Sequence, residues 1–271
     1  MQETVRTRSM SRKLTLAATA LILAAAAPAF GQETSTAPAA APATAEQRAA
    51  YERADPLARS VFWAREADLN PADPVAGVRL AEALREMGRH DQAVEAAQNV
   101  LMIQPGNVEA MLEVGRAHIA RGQAFYGVEA LEQARDAAPN DWRPLSLLGV
   151  AYQQVRRPAD AQAAWTAALA LSPENPKVLS NMAMAMVAGG DSANAEPLLR
   201  RAAAHPDATL QMRQNLALVL GLNGNRAEAE QILRRHLPPE QADQNLQWLG
   251  EQVGAGSQTA APRTWESLSG R

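Results

Sequence analysis

The sequence predicts an all-α fold, a right-handed solenoid of antiparallel helix pairs. Three observations carry that expectation. Gly88, Gly122, Arg156, Gly190 and Gly224 recur at a 34-residue step, and Ala93, Gly127, Ala161, Ala195 and Ala229 recur in the same register, as do Ala81, Gly115, Gly149, Ala183 and Ala217. Pro105, Pro139 and Pro173 keep the step and Pro206 misses it by one. The composition agrees: 47% of residues are hydrophobic but only 4% aromatic, with alanine and leucine dominant, which favours closely packed helices over a sandwich or barrel.

Taken in order, residues 1–31 read as an export signal. Arg12 and Lys13 flank an apolar run from Leu14 to Ala27, and Ala29 and Gly31 suit a signal-peptidase site. Two outcomes stay open: cleavage before Gln32, or an uncut anchor, although the run is short against the roughly 20 apolar residues of a membrane span. Met1 and Met10 are both candidate starts. Residues 32–44, rich in Pro, Ala, Ser and Thr, read as a flexible tether.

Residues 45–73 read as a degenerate capping helix pair, because Trp63 and Pro71 stand one step before Ala97 and Pro105 and Asp55-Pro56 is a helix start. Five repeats follow at 74–107, 108–141, 142–175, 176–209 and 210–243. In each, the small residue of the Ala81 column sits where the first helix presses on the second, and the glycine column ends the first helix in a left-handed turn. Arg156 stands in that glycine column, and the nearby Pro158 suggests a helix break by another route. Leu80, Val114, Leu148, Met182 and Leu216, with Leu84, His118, Tyr152, Met186 and Leu220 four residues later, make the core face of the first helices. Ala97, Leu131, Trp165, Leu199 and Leu233 do so on the second. A capping helix is expected at 238–250, where its apolar side would cover the last repeat. Residues 253–271 read as a loose tail whose Trp265 is either incidental or a short docking motif.

These columns match the tetratricopeptide-repeat (TPR) pattern. Longer segments go further: DPLARSVFWAREADLNP at 55–71, NDWRPLSLLGVAYQ at 140–153, NPKVLSNMAMAMVAGGD at 175–191, RQNLALVLGLNGNRAEAE at 213–230 and LPPEQADQNLQWL at 237–249. Over roughly Ala54 to Leu249 the chain resembles the TPR protein of Flp (tight-adherence) pilus assembly in bacteria. The resemblance implies a non-enzymatic scaffold at the periplasmic face of the envelope, whose partner is a protein or peptide segment of a secretion or pilus apparatus. Members are often lipoproteins, but this chain contains no cysteine, so lipid attachment is closed to it and membrane contact would come only through an uncut leader or a partner.

The chemistry of the residues points the same way. Without cysteine there is no disulfide, thiolate metal site or cysteine nucleophile. Formal net charge is -3; the leader holds four basic residues and one acid, which leaves 22 basic and 28 acidic residues and a charge of -6 beyond it, against a nucleic-acid partner. His90, His118, His205 and His236 lie in different repeats without metal-ligand spacing, so no metal, cofactor or catalytic residue is expected, and His118 reads as a packed core ring. Glu95, Glu129, Glu132 and Glu228 read as solvated exterior.

The expected binding surface is the inner wall lined by first helices: Arg79, Arg116, Arg143, Leu147, Lys177, Asn181, Gln214 and Asn215, with Leu112, Val150, Met184 and Leu218 on the same wall. Asn181 and Asn215 share a position in adjacent repeats, where an amide either meets an extended peptide backbone or bonds a neighbouring turn. Alternatives to the pilus role are a general periplasmic TPR adaptor or chaperone, or a regulatory subunit of an envelope enzyme. Oligomeric state is not legible.

Overall fold

The computed structural model describes residues 41–255; the leader, the tether before residue 41 and the Trp265 segment lie outside them. Among the described residues there are thirteen α-helices and one 3-10 turn, and no strand.

α1 (Ala45–Tyr51) and α2 (Pro56–Leu69) open the solenoid. Thr44 and Gln47 form a reciprocal capping box on α1, and Asp55 caps α2 ahead of Pro56. The Glu66 side chain is fully buried on α2; both its oxygens accept from the Ala43 N–H at 3.0 Å, and Arg48 pairs with it at 2.8 Å. The end of the segment read as a tether is therefore tied to α2 by a buried carboxylate.

Five helix pairs follow: α3 (Pro74–Glu86) with α4 (His90–Ile103), α5 (Val108–Ala120) with α6 (Val128–Ala137), α7 (Trp142–Gln154) with α8 (Pro158–Leu171), α9 (Pro176–Ala188) with α10 (Ser192–Ala204), and α11 (Leu210–Leu222) with α12 (Arg226–His236). A 3-10 turn at Ala124–Gly127 precedes α6 and leaves Phe125 and Tyr126 exposed. α13 (Pro239–Ala255) closes the fold and continues past the expected end at 250. Glu251 and Gln252, both good helix formers, and a Gln247–Glu251 bond one turn apart carry the helix past Gly250 and through Val253, which had read as tail.

One column escaped the sequence reading. Each first helix of the five pairs is capped by the side chain of Asp73, Asn107, Asp141, Asn175 or Thr209, again at a 34-residue step, accepting from backbone N–H groups in the first turn. Pro71, Pro105, Pro139 and Pro173 each stand two residues before one of these caps, so the turn and the helix start form one motif.

The turns inside the pairs are also alike. Gly88, Gly122, Gly190 and Gly224 have φ of 74°, 74°, 87° and 88°. The following N–H reaches back to Leu84, His118, Met186 and Leu220 carbonyls at 2.8–2.9 Å, the bond that closes a left-handed helix end. Arg156 does the same, with φ 60° and Arg157 N–H donating to the Tyr152 carbonyl at 2.8 Å. The expectation that Pro158 breaks this helix differently is thus corrected: the turn is common to all five pairs, and an arginine is held in the conformation that favours glycine. Arg156→Gly should relieve that strain, partly offset by the freer unfolded chain, and raise stability by about 0.5–1 kcal/mol. Urea unfolding of the two proteins side by side measures it.

The core is built by residues of large and small volume facing one another. Leu131 packs onto Gly115 and Trp165 onto Gly149, so that a β-carbon at either glycine would lie 2.4 Å or 2.3 Å from the opposing side chain. Ala97, Leu131, Trp165, Leu199 and Leu233 are all at most 3% exposed. His118 is a packed ring: it is buried, stands 5.9 Å from the Tyr126 ring, and burial lowers its pKa. Tyr152 donates to Glu132 at 2.7 Å, and burial followed by that bond pushes its pKa up to about 12. Glu132, read as exterior, is thereby a partner of the core. Leu249 of α13 covers Gly221, ending the stack as a solenoid requires.

Candidate functional site

The helix faces not used for stacking meet along α7, α9 and α11. Between them lies a groove of about 620 Å³. Val150, Gln153 and Gln154 line it from α7; Lys177, Ser180, Asn181, Met184, Ala185 and Ala188 from α9; Gln211, Met212 and Asn215 from α11. Thr209, the cap of α11, and Trp165 from α8 complete the lining. A second cavity of about 430 Å³ adjoins it and shares Gln153, Trp165, Ala185 and Ala188, with Met182 and Met186 on its far side. In the other pairs the equivalents of these two methionines include buried leucines and a valine, whereas Met182 and Met186 are only half-buried. Their flexible side chains leave the seam between the third and fourth pairs loosely filled, and such surfaces adapt to apolar ligands.

Of the expected site residues, the structure brings Lys177, Asn181 and Asn215 together in this groove and places the other five outside its lining. Three of those five are arginines bound to carboxylates. Arg79 pairs with Glu52 at 3.0 Å and Glu82 at 2.8 Å; Arg116 pairs with Glu113 at 2.5 Å; Arg143 pairs with Glu109 and Asp141, each at 2.6 Å. The pairing with Asp141 and then Glu109 raises the Arg143 pKa further, so the guanidinium stays charged and neutralised in place. Glu113 is only 2% exposed and also binds Arg85 at 2.8 Å, so it joins two successive first helices. Leu147 packs half-buried against the core, and Gln214 is half-buried on α11. Leu112 and Leu218, placed on the same wall by the helical pattern, are wholly buried because the neighbouring pair covers them.

The two asparagines differ. Asn215 is buried: its Oδ1 accepts from Gln211 Nε2 at 3.0 Å and its Nδ2 donates to Ser180 Oγ at 3.3 Å. It bonds side chains of two adjacent first helices, which neither sequence alternative anticipated. Asn181 is half-buried and its amide makes no hydrogen bond among the described residues. Lys177 is exposed and, among the described residues, makes no ion pair. No carboxylate lines either cavity. The groove therefore offers one uncompensated cation, the free Asn181 amide and a methionine-rich floor. It can bind an extended, partly apolar and partly acidic ligand.

Among the described residues no helix is long and apolar enough to cross a membrane, and no three His, Cys, Asp or Glu side chains are grouped to hold a metal ion. Gln153, Trp165, Ser180, Ala185, Ala188, Thr209 and Met212 were missed as lining residues; the cap column would have revealed Thr209, but Trp165 carries a core signal and is only 3% exposed.

A family model described as tetratricopeptide repeat matches residues 84–142. Among solved structures, a thermophilic TPR protein of Thermus thermophilus, TTC0263, is similar at 22% identity with a TM-score of 0.57, over 65% of this chain and 94% of that one. A chain of the APC/C hetero-tetramer Cut9–Hcn1 is similar at 18% identity and a TM-score of 0.61, over 70% of this chain and 39% of that one. MamA 41-end from Desulfovibrio magneticus RS-1 is similar at 24% identity and a TM-score of 0.50, over 58% and 88%. With the 34-residue columns, these likenesses identify the fold as an all-α TPR solenoid.

Proposed function

We propose that this chain is a non-enzymatic scaffold that binds another protein by gripping an extended segment of it in the groove between α7, α9 and α11. One observation carries the proposal: the groove combines an unpaired ammonium, an unbonded Asn181 amide and apolar methionines, while the arginines at the other end of the wall are neutralised. An extended peptide leaves its backbone groups open to the amides and presents alternate side chains to the apolar floor. The charge steers the approach and sets direction.

The leader-like residues 1–31 support a periplasmic setting, and the segments quoted at 55–71, 140–153, 175–191, 213–230 and 237–249 support a role in Flp pilus assembly, with a secretion or pilus component as the partner. Deletion of the gene should abolish surface pili and attachment; piliated deletion cells would sink the pilus role while leaving the groove reading intact.

The groove is tested by Lys177→Glu in the full chain, with Asn181→Ala as a second variant. Both side chains are outside the core, so the fold should be retained. Partner recovery in a pull-down should fall on the order of tenfold for the charge reversal. Undiminished recovery with both variants would exclude this groove as the site.

A further inference from the structure

Beyond the described residues the chain carries Thr264-Trp265-Glu266-Ser267-Leu268, an acid set between two large apolar residues. This is the chemistry the groove is built to accept. We propose that this segment of the same chain occupies the α7–α9–α11 groove in the absence of partner, so that a partner must displace it. The inference rests on the binding reading above and adds an occupant to it.

Three facts support the assignment. The first is charge: Lys177 is the cation of the groove, it has no ion-pair partner among the described residues, and no carboxylate lines the cavity. Glu266 supplies the missing carboxylate, and Trp265 or Leu268 supplies an apolar side chain for the space bordered by Met184, Met212 and Trp165.

The second is reach. α13 packs on α11, and α11 on α9. Two interaxial steps of about 10 Å each bring the chain from α13 to α9. Leu249 lies level with Gly221 and α13 continues away from the groove, so the path must recover about 9 Å of helix rise from Ala255 to Leu249 and then about 14 Å from the level of Gly221 to that of Met212. Together with the roughly 20 Å across, at right angles to it, this makes about 30 Å, which the ten residues from Ala255 to Trp265 reach close to their extended span of about 33 Å. The third is composition: Gly256 to Ala261 is small and polar, so it imposes little stiffness on the path. The contact is intramolecular, and the cost of extending the tether leaves the segment displaceable.

The sequence offers an unusually clean test, because its only lysines are Lys13 and Lys177. Zero-length carbodiimide cross-linking of the dilute full chain, followed by mass spectrometry of the monomer band, should yield a Lys177–Glu266 amide. Its yield should fall about tenfold in Trp265→Ala, which keeps the carboxylate but removes the apolar anchor. The synthetic peptide covering residues 260–271 serves as probe in a second measurement. It should bind full-length Trp265→Ala on the order of tenfold more tightly than the unaltered chain, whose groove is already filled.

A Lys177 left unlinked, or a yield equal in the Trp265→Ala chain, would overturn the proposal. A cross-link confined to covalent dimers would overturn it too, and would assign the segment to a second copy. None of these outcomes touches the partner-binding reading, which fails separately if Lys177→Glu and Asn181→Ala recover partner undiminished.

Discussion

Gly149→Leu is expected to destabilise the protein by about 3 kcal/mol. A β-carbon at this position would already stand 2.3 Å from Trp165 Nε1 and 2.4 Å from its Cε2, and leucine adds three further carbons. The indole cannot step aside cheaply. It is 3% exposed, and its N–H donates to the Ser146 carbonyl at 3.1 Å, so displacement would break a buried bond as well as the packing. The same move would open the seam next to the groove, coupling stability to binding. Denaturant unfolding should show the lower midpoint, and Gly149→Leu combined with Trp165→Ala should cost less than the sum of the two single changes, because the indole is what leucine strikes. A Gly149→Leu protein with the unaltered midpoint would mean that the first and second helices do not cross as closely as described.

Glu66→Ala is expected to release the N-terminal end of the solenoid at a cost of about 2–3 kcal/mol. Its carboxylate is fully buried and gathers Arg48 at 2.8 Å and the Ala43 N–H at 3.0 Å. Without it the N–H loses its acceptor and α1 loses its main tie to α2. Arg48 keeps Asp73 at 2.7 Å and is a quarter exposed, which holds the loss below that of a wholly buried charge left alone. Because each pair touches only its neighbours, the damage should stay local. Amide exchange should accelerate across α1 and α2 and stay unchanged in α9 to α13; equal acceleration throughout would contradict a solenoid with this division of contacts.

The fold was legible because repetition supplies independent evidence for the same register. Small residues against Leu131 and Trp165, and glycines with positive φ, are constraints of single atoms, and they leave a mark at every step. The cap column Asp73 to Thr209 was equally present and was passed over, since Asp, Asn and Thr differ as letters although their side chains accept the same bonds. Arg156 shows the opposite limit: nothing in an arginine announces a left-handed backbone, and only the turn shared with its neighbours imposes it.

The site was less legible. A helical wheel assigns a residue to a face but says nothing of which neighbouring helix covers that face. Leu112, Leu218 and Asn215 therefore lay on the expected wall and are buried by the adjacent pair. Likewise, Arg79, Arg116 and Arg143 looked available until their partners Glu82, Glu113 and Glu109 were placed beside them. What distinguishes Lys177 is the lack of such a partner among the described residues, a property of the assembled surface.

The proposed grip of the α9 groove on an extended segment of another protein can be probed in living cells. The probe is a photo-activatable benzoylphenylalanine placed at Met184, which lines the groove, and in parallel at Met102, which is 76% exposed on α4 and outside the groove. Position 184 should give one dominant intermolecular adduct, mapping to a short contiguous segment of the partner and lost on adding Lys177→Glu, with little or none from position 102. Adducts from position 102 and none from position 184 would contradict the proposed grip.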